Sequence, residues 1–185
     1  MKPAVVADAN VLYSVTLRDI LIELHLAGVI VLHWSPRILQ EMAAALVSTR
    51  IDYAQAKAND LIQRMNEALP DASITESPDW PLSLPDPKDE HVLMAAVARN
   101  CTHLLTFNLR DFPADRIKAA CSLTVISPDA FFLMLLTCNP APCINVVVAS
   151  CAALSRPPVT KAEFLHRLRR AGMPTTASLL GRLWQ

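Results

Sequence analysis

LPDPKDEHVLMAAVARNCTHLLTFNLRDFP, residues Leu84–Pro113, compresses an acidic helix start, an apolar helix, a buried strand and a polar loop into one stretch. Pro85 and Pro87 hold the approach extended, because each fixes its own φ and disfavours helix in the residue before it. Asp86, Asp89 and Glu90 then fall at the start of a helix expected over Asp89–Asn100. Carboxylates suit that position for a purely structural reason, since unpaired N–H groups and the helix dipole favour them. The next residues supply a second reason. His103–Phe107 is a short β-type run, and Asn108–Leu109–Arg110–Asp111 stands at its C-terminal end. In an α/β sheet that edge is where ligands bind.

Two further acids point to the same edge. Ala4–Val5–Val6–Ala7 is an apolar run closed by Asp8, then Ala9 and Asn10. An aspartate closing a buried strand has little to do with packing, although Asp8 or Asn10 would also serve as a helix N-cap. Glu41 lies on the helix opened by Ser35–Pro36, a cap residue followed by proline at the first helical position. Ile38, Leu39, Met42, Leu46 and Val47 form the buried stripe of that helix, and Glu41 borders it.

Between these blocks, Val11–Ala27 reads as one helix ended by Gly28, and Val29–His33 as a second strand. Tyr53–Leu69 reads as a long helix with a thin apolar stripe, Ser73–Glu76 as a short strand, and Ser77–Pro87 as proline-rich loop. Pro113–Ala120 reads as a short helix and Leu123–Ile126 as a fourth strand. Ser127–Pro128–Asp129 repeats the cap-plus-proline start and opens a helix ending at Cys138. Alternating strands and helices predict a parallel sheet with helices on both faces, a three-layer α/β/α domain over residues 1–138. Residues 139–185 read as a helical C-terminal extension. Pro140 and Pro142 form a linker, Ile144–Leu154 is an apolar helix broken by Arg156–Pro157–Pro158, and Thr160 with Glu163 makes a capping box for Lys161–Ala171. A short helix over Pro174–Leu183 closes the chain.

Hydrophobic content of 52% with only 3 glycines argues against disorder. The net charge of zero is unevenly spread: residues 1–155 hold 11 Lys/Arg against 16 Asp/Glu, and residues 156–185 hold 6 against 1. An acidic body with a basic tail suits a metal site beside a phosphate-binding edge, or self-association. The cysteines, at 101, 121, 138, 143 and 151, are odd in number and include no C-x-x-C pair. They point to a reducing, cytoplasmic setting. Asp8 interrupts the first apolar run at once, so no signal peptide is expected there, and no run is long enough for a membrane span.

Carboxylates from separate segments that converge on one sheet edge repel unless protons or a cation compensate them. Oxygen-only ligands select a hard ion such as Mg2+ or Mn2+ over zinc. Such an ion can activate water and neutralise charge on a phosphodiester. His91 reads as a polar helix residue rather than a base.

The order VVADAN, SPRILQE, DPKDEHVLMAAV, LLTFNLRDF resembles the PIN-domain nucleases, particularly VapC-type toxins. PPVTKAEFLHRLRRAGMP is similar to the helical extension that some of them carry. The resemblance implies a PIN-like α/β/α fold and Mg2+- or Mn2+-dependent endoribonuclease activity, held in check by an antitoxin protein. Block by block, Asp8, Glu41 and Asp89 match the three principal acids. The fourth position, often Asp in the family, is Asn108 here, a neutral and weaker ligand, with Asp111 close by. Asp86 and Glu90 rival Asp89 as third acid. Two alternatives remain for these residues: a PIN-fold binding module without the chemistry, favoured by Asn108, and a haloacid-dehalogenase-type phosphatase, disfavoured by Asn10 in place of its second acid.

Arg167, Arg169, Arg170 and Arg182 are candidates for phosphate contacts. The apolar character of Val11–Ala27 exceeds what one buried face needs, so a homodimer is expected, with a groove there and beside Tyr53–Leu69 for an apolar partner helix.

Overall fold

The computed structural model describes residues 2–51, 53–74, 84–155 and 157–184. Four parallel strands form the sheet: β1 (Ala4–Ala7), β2 (Val31–His33), β3 (His103–Leu105) and β4 (Thr124–Ile126), in spatial order β2-β1-β3-β4. Residues Val5, Val6 and Ala7 of β1 are fully buried, as expected of a central strand covered on both faces. The chain leaves β1 toward β2 on one side, and β3 pairs on the other. That reversal puts a topological switch point between the C-terminal ends of β1 and β3, where Ala7 is in register with Leu105.

Ten α-helices surround the sheet among the described residues: α1 (Ala9–Leu12), α2 (Val15–Leu26), α3 (Pro36–Thr49), α4 (Gln55–Ala68), α5 (Glu90–Ala98), α6 (Ala114–Cys121), α7 (Pro128–Cys138), α8 (Pro140–Ala153), α9 (Lys161–Arg170) and α10 (Pro174–Leu183). The architecture is three-layer α/β/α with a helical C-terminal region. Ser35 and Ser127 cap α3 and α7 by accepting from Ile38 N–H at 3.2 Å and Ala130 N–H at 3.3 Å. Each such cap contributes about 1 kcal/mol. None of these helices is long and apolar enough to cross a membrane.

Several expectations need correction. The helix expected over Val11–Ala27 is two helices, because Ser14 turns the chain and caps α2 by accepting from Leu17 N–H at 3.4 Å. The helix expected from Asp89 to Asn100 begins instead as a 3-10 turn, Pro87–Asp89, and α5 ends at Ala98. Pro140 and Pro142 are no linker; they sit in the first turn of α8, where a missing N–H costs nothing. Of the strand expected over Ser73–Glu76, Ser73 makes a parallel bridge to Trp34, while Thr75 and Glu76 lie outside the described residues. Ser77–Ser83 of the expected loop, and Arg156 in the expected helix break, also lie outside them.

The surplus apolar face of α2 has an occupant within the chain. Leu17, Ile20, Leu21 and Leu24 are all buried, and α8 packs along α2, joined by α9. The buried face expected to form a groove along Val11–Ala27 is therefore covered by the C-terminal region, and the large apolar residues of α2 that still project are those at its two ends, Val15, 42% exposed, and Leu26, 59% exposed.

Candidate active site

Asp8, the first residue after β1, is 8% exposed. Its Oδ2 accepts from Asn10 Nδ2 at 2.6 Å and from Thr106 Oγ1 at 2.7 Å. Asn10 Oδ1 in turn accepts from the Phe107 N–H at 3.1 Å, so the segments after β1 and β3 are bonded across the switch point. Burial pushes the Asp8 carboxyl above its ordinary range, against the hydrogen bonds from Thr106 and from Ala9 and Asn10.

The three acids of the 84–90 segment divide their tasks. Asp86 caps the 3-10 turn by accepting from Lys88 N–H at 2.9 Å. Glu90 Oε1 accepts from Leu84 N–H at 3.3 Å. Asp89 makes no capping hydrogen bond. Instead Asn108 Nδ2 stands 3.4 Å from Asp89 Oδ2 and donates as well to Asp111 Oδ2. Burial first, then the charges of Asp8, Asp86 and Asp111, push the Asp89 carboxyl up to about 6. Capping thus accounts for Asp86, and Asp89 is the acid turned toward the loop after β3.

Glu41 reaches the same place from α3. Burial raises its pKa, Arg37 opposes this, and repulsion from both Asp8 and Asp89 adds to it. Arg37 Nε lies 3.4 Å from Glu41 Oε1, while Arg37 Nη2 donates to the Lys88 carbonyl at 3.4 Å. His91 Nε2 stands 2.9 Å from the same Glu41 oxygen, on a side chain 2% exposed. Two basic groups therefore fix Glu41, and neither is assigned to the site by the sequence alone. A signal for His91 does exist: it lies four residues before Ala95, on the buried face of α5.

Asp8, Glu41, Asp89, Asn108 and Asp111 are thus brought to one edge. As placed, no three His, Cys, Asp or Glu side chains among the described residues close around a single point as a metal would require. The donor set itself suits a hard cation, being carboxylates whose mutual repulsion a positive ion would relieve. Arg167 and Arg170, exposed on the last turn of α9, border a cleft of about 580 Å3 that Asn10, Arg50 and Phe107 also line. Arg169 and Arg182 do not line it.

The family model of the PIN domain matches residues 4–110, and that of the VapC50 C-terminal domain matches residues 128–182, a span that takes in α7 to α10. Comparison with curated proteins and with solved structures returns no match. The first match spans more than half of the chain and includes Asp8, Glu41, Asp89 and Asn108. The chain belongs to the PIN-domain family, as a VapC-type member with a helical C-terminal extension.

Proposed function

We propose that this protein is a metal-dependent endoribonuclease, the toxin of a toxin–antitoxin pair, with Asp8, Glu41 and Asp89 as the metal-holding acids. The observation that carries the reading is the gathering of these acids, with Asp111, at the switch point, where their charges oppose one another and Asp89 is raised to about 6. Bound among them, Mg2+ or Mn2+ would supply an activated water and neutralise charge on the scissile phosphodiester.

The chain's own residues set the conditions for this. Thr106 and Asn10 hold Asp8 in one orientation, through bonds to a single carboxylate oxygen. Arg37 and His91 hold Glu41 while leaving the site's net charge negative. Asn108 bridges Asp89 and Asp111 through its amide nitrogen, where a fourth carboxylate would only repel them. That bridge favours a second reading, a PIN-fold module that binds RNA or protein without cutting.

One assay decides between the two. End-labelled RNA is incubated with the purified protein in Mg2+ or Mn2+, in EDTA, and with the Asp8→Asn variant. Cleavage is expected only from the wild-type chain with metal. Cleavage in EDTA, or by Asp8→Asn at the wild-type rate, overturns the metal-ligand assignment; no cleavage under any condition supports the binding module.

An antitoxin partner follows from the family, and we propose that it inhibits by placing a basic side chain among the acids, in competition with the cation. A homodimer belongs to the same proposal on kinship alone, since α8 and α9 cover the apolar face of α2. Sedimentation giving a single protomer's mass at micromolar concentration overturns it.

A further inference from the structure

The cleft between the α1–α2 turn and the end of α9 joins the two parts of the chain, and its lining has a distinct chemistry. Arg50, Arg167 and Arg170 supply three guanidinium groups, and no acid is among the lining residues. Tyr13 and Phe107 supply aromatic surface. Asn10 belongs to this lining and also bonds Asp8 at 2.6 Å, so the cleft opens directly beside the acid cluster. Its volume, about 580 Å3, falls within the range of roughly 300–1,000 Å3 typical of ligand clefts.

The C-terminal region shapes this cleft as well as charging it. Gly172, at φ +83°, follows α9 and packs directly on the ring of Phe107; a Cβ there would lie 2.7 Å from Cε1. The backbone thus supports one part of the ring, while the residue remains 41% exposed. Phe107 precedes Asn108 in the chain, so the same turn braces the loop that carries Asn108 and Asp111. Basic residues at the end of α9 have a structural explanation in the helix dipole. That explanation treats Arg167, Arg169 and Arg170 alike, whereas only Arg167 and Arg170, three residues apart on one face, border the cleft.

We infer that this cleft is a binding site for single-stranded RNA, holding the nucleotides next to the scissile phosphate. Arg50, Arg167 and Arg170 contact phosphates, and a base stacks on Phe107. The inference rests on the ribonuclease reading and adds that the extension is part of the substrate site. Arginine along a backbone path with an aromatic platform is the general chemistry of single-strand binding. The site is composite, with no half sufficient alone.

The test separates binding from cleavage by using the full chain carrying Asp8→Asn, in EDTA, with a fluorescein-labelled RNA decanucleotide of mixed sequence followed by anisotropy. In that background the double substitution R167Q/R170Q is expected to weaken binding about tenfold or more at low salt. It should also reduce the log–log salt slope by about 0.7 for each phosphate no longer neutralised. R169Q/R182Q, equal in charge change, should leave both nearly unchanged. Phe107→Ala should weaken binding about tenfold with the salt slope intact, and Phe107→Trp should restore it. Equal effects of the two arginine pairs, or absence of RNA binding, overturn the inference. So does a decamer of glutamate that competes as well as the RNA, which would assign the cleft to an acidic protein partner. The two readings fail separately. Intact cleavage with no difference between the arginine pairs removes the cleft alone, and the expected binding pattern in a chain that cuts nothing removes the nuclease alone.

Discussion

Asp89 and Asp129 stand at helix starts built on one plan, a proline-held approach followed by an acid, yet their surroundings are opposite. Asp129, in the first turn of α7, accepts from Thr176 N–H at 2.8 Å and Thr175 N–H at 3.1 Å. Burial pushes its carboxyl up, but the bonds from Thr176 and Thr175 outweigh that and hold it below the ordinary range. This acid ties α7 to the start of α10. Asp89 receives one long contact from Asn108 and faces other acids, and it is raised to about 6. An acid surrounded by donors holds the fold together. One gathered with other acids works against the fold until a proton or cation arrives, which is the condition of a site rather than of a scaffold.

The contrast is broken most easily at the level of activity. Asp89→Asn should lower RNA cleavage at least about a hundredfold, the order seen when one charge-stabilising group is removed from a preorganised site. Asp129→Asn should leave cleavage near the wild-type rate. Similar losses in both would erase the distinction. Smaller is the effect of His91, which acts through Glu41. His91→Ala should lower kcat by roughly ten- to a hundredfold with KM little changed, as for groups that orient a metal ligand. His91→Gln should recover part of that loss if orientation is the role; if it recovers only thermal stability, the role is packing. Stability reverses the ranking. Asp129→Ala removes two charge-assisted bonds from a partly exposed carboxylate, about 1–2 kcal/mol, or a fall of roughly 3–6 °C in Tm for a chain of this size. Asp89→Asn should leave Tm the same or higher, measured by calorimetry without added metal.

Strand–helix alternation makes the parallel sheet legible, and serine–proline pairs mark the starts of α3 and α7 correctly. Elements are misread where two local rules compete. Ser14 sits within an apolar run that reads as one helix, but its hydroxyl offers the backbone a cap and the chain takes it. Pro140 and Pro142 break helices in general and start one here, because Asn139 closes α7 just before them. At the site, the acids can be located by their positions at strand ends and helix starts. Their neighbours are legible only in part: Arg37 stands four residues before Glu41 on α3, a spacing the sequence shows, whereas His91 comes to Glu41 from α5 through tertiary packing. The same is true of the cleft: nothing in the spacing of Phe107 and Gly172, far apart in the chain, foretells their contact.

The smallest predicted effect lies in the pH dependence of stability, and there the two aspartates have opposite signs. Asp89 ionises near 6 in the folded chain against 3.8 as an ordinary aspartate, so between those values the native state keeps a proton that the unfolded state has released. Stability should therefore fall as pH rises from about 4 to about 6, with the loss complete above that. Asp8 and Glu41, also raised, add to the same decline. Asp129 is lowered, so its contribution is present above its ordinary value and is lost as pH falls through the native one. Urea midpoints taken across this range should show a flatter decline between about pH 4 and 6 in Asp89→Asn, and a flatter acid limb in Asp129→Asn. A cation held by ionised acids must follow the same titration. The rise in midpoint on adding Mg2+ or Mn2+ should be small near about pH 4, larger above about pH 6, and reduced in Asp89→Asn but not in Asp129→Asn. A metal-induced rise that is equal at both ends of the range, or equal in the two variants, would mean that these acids are not what the ion binds.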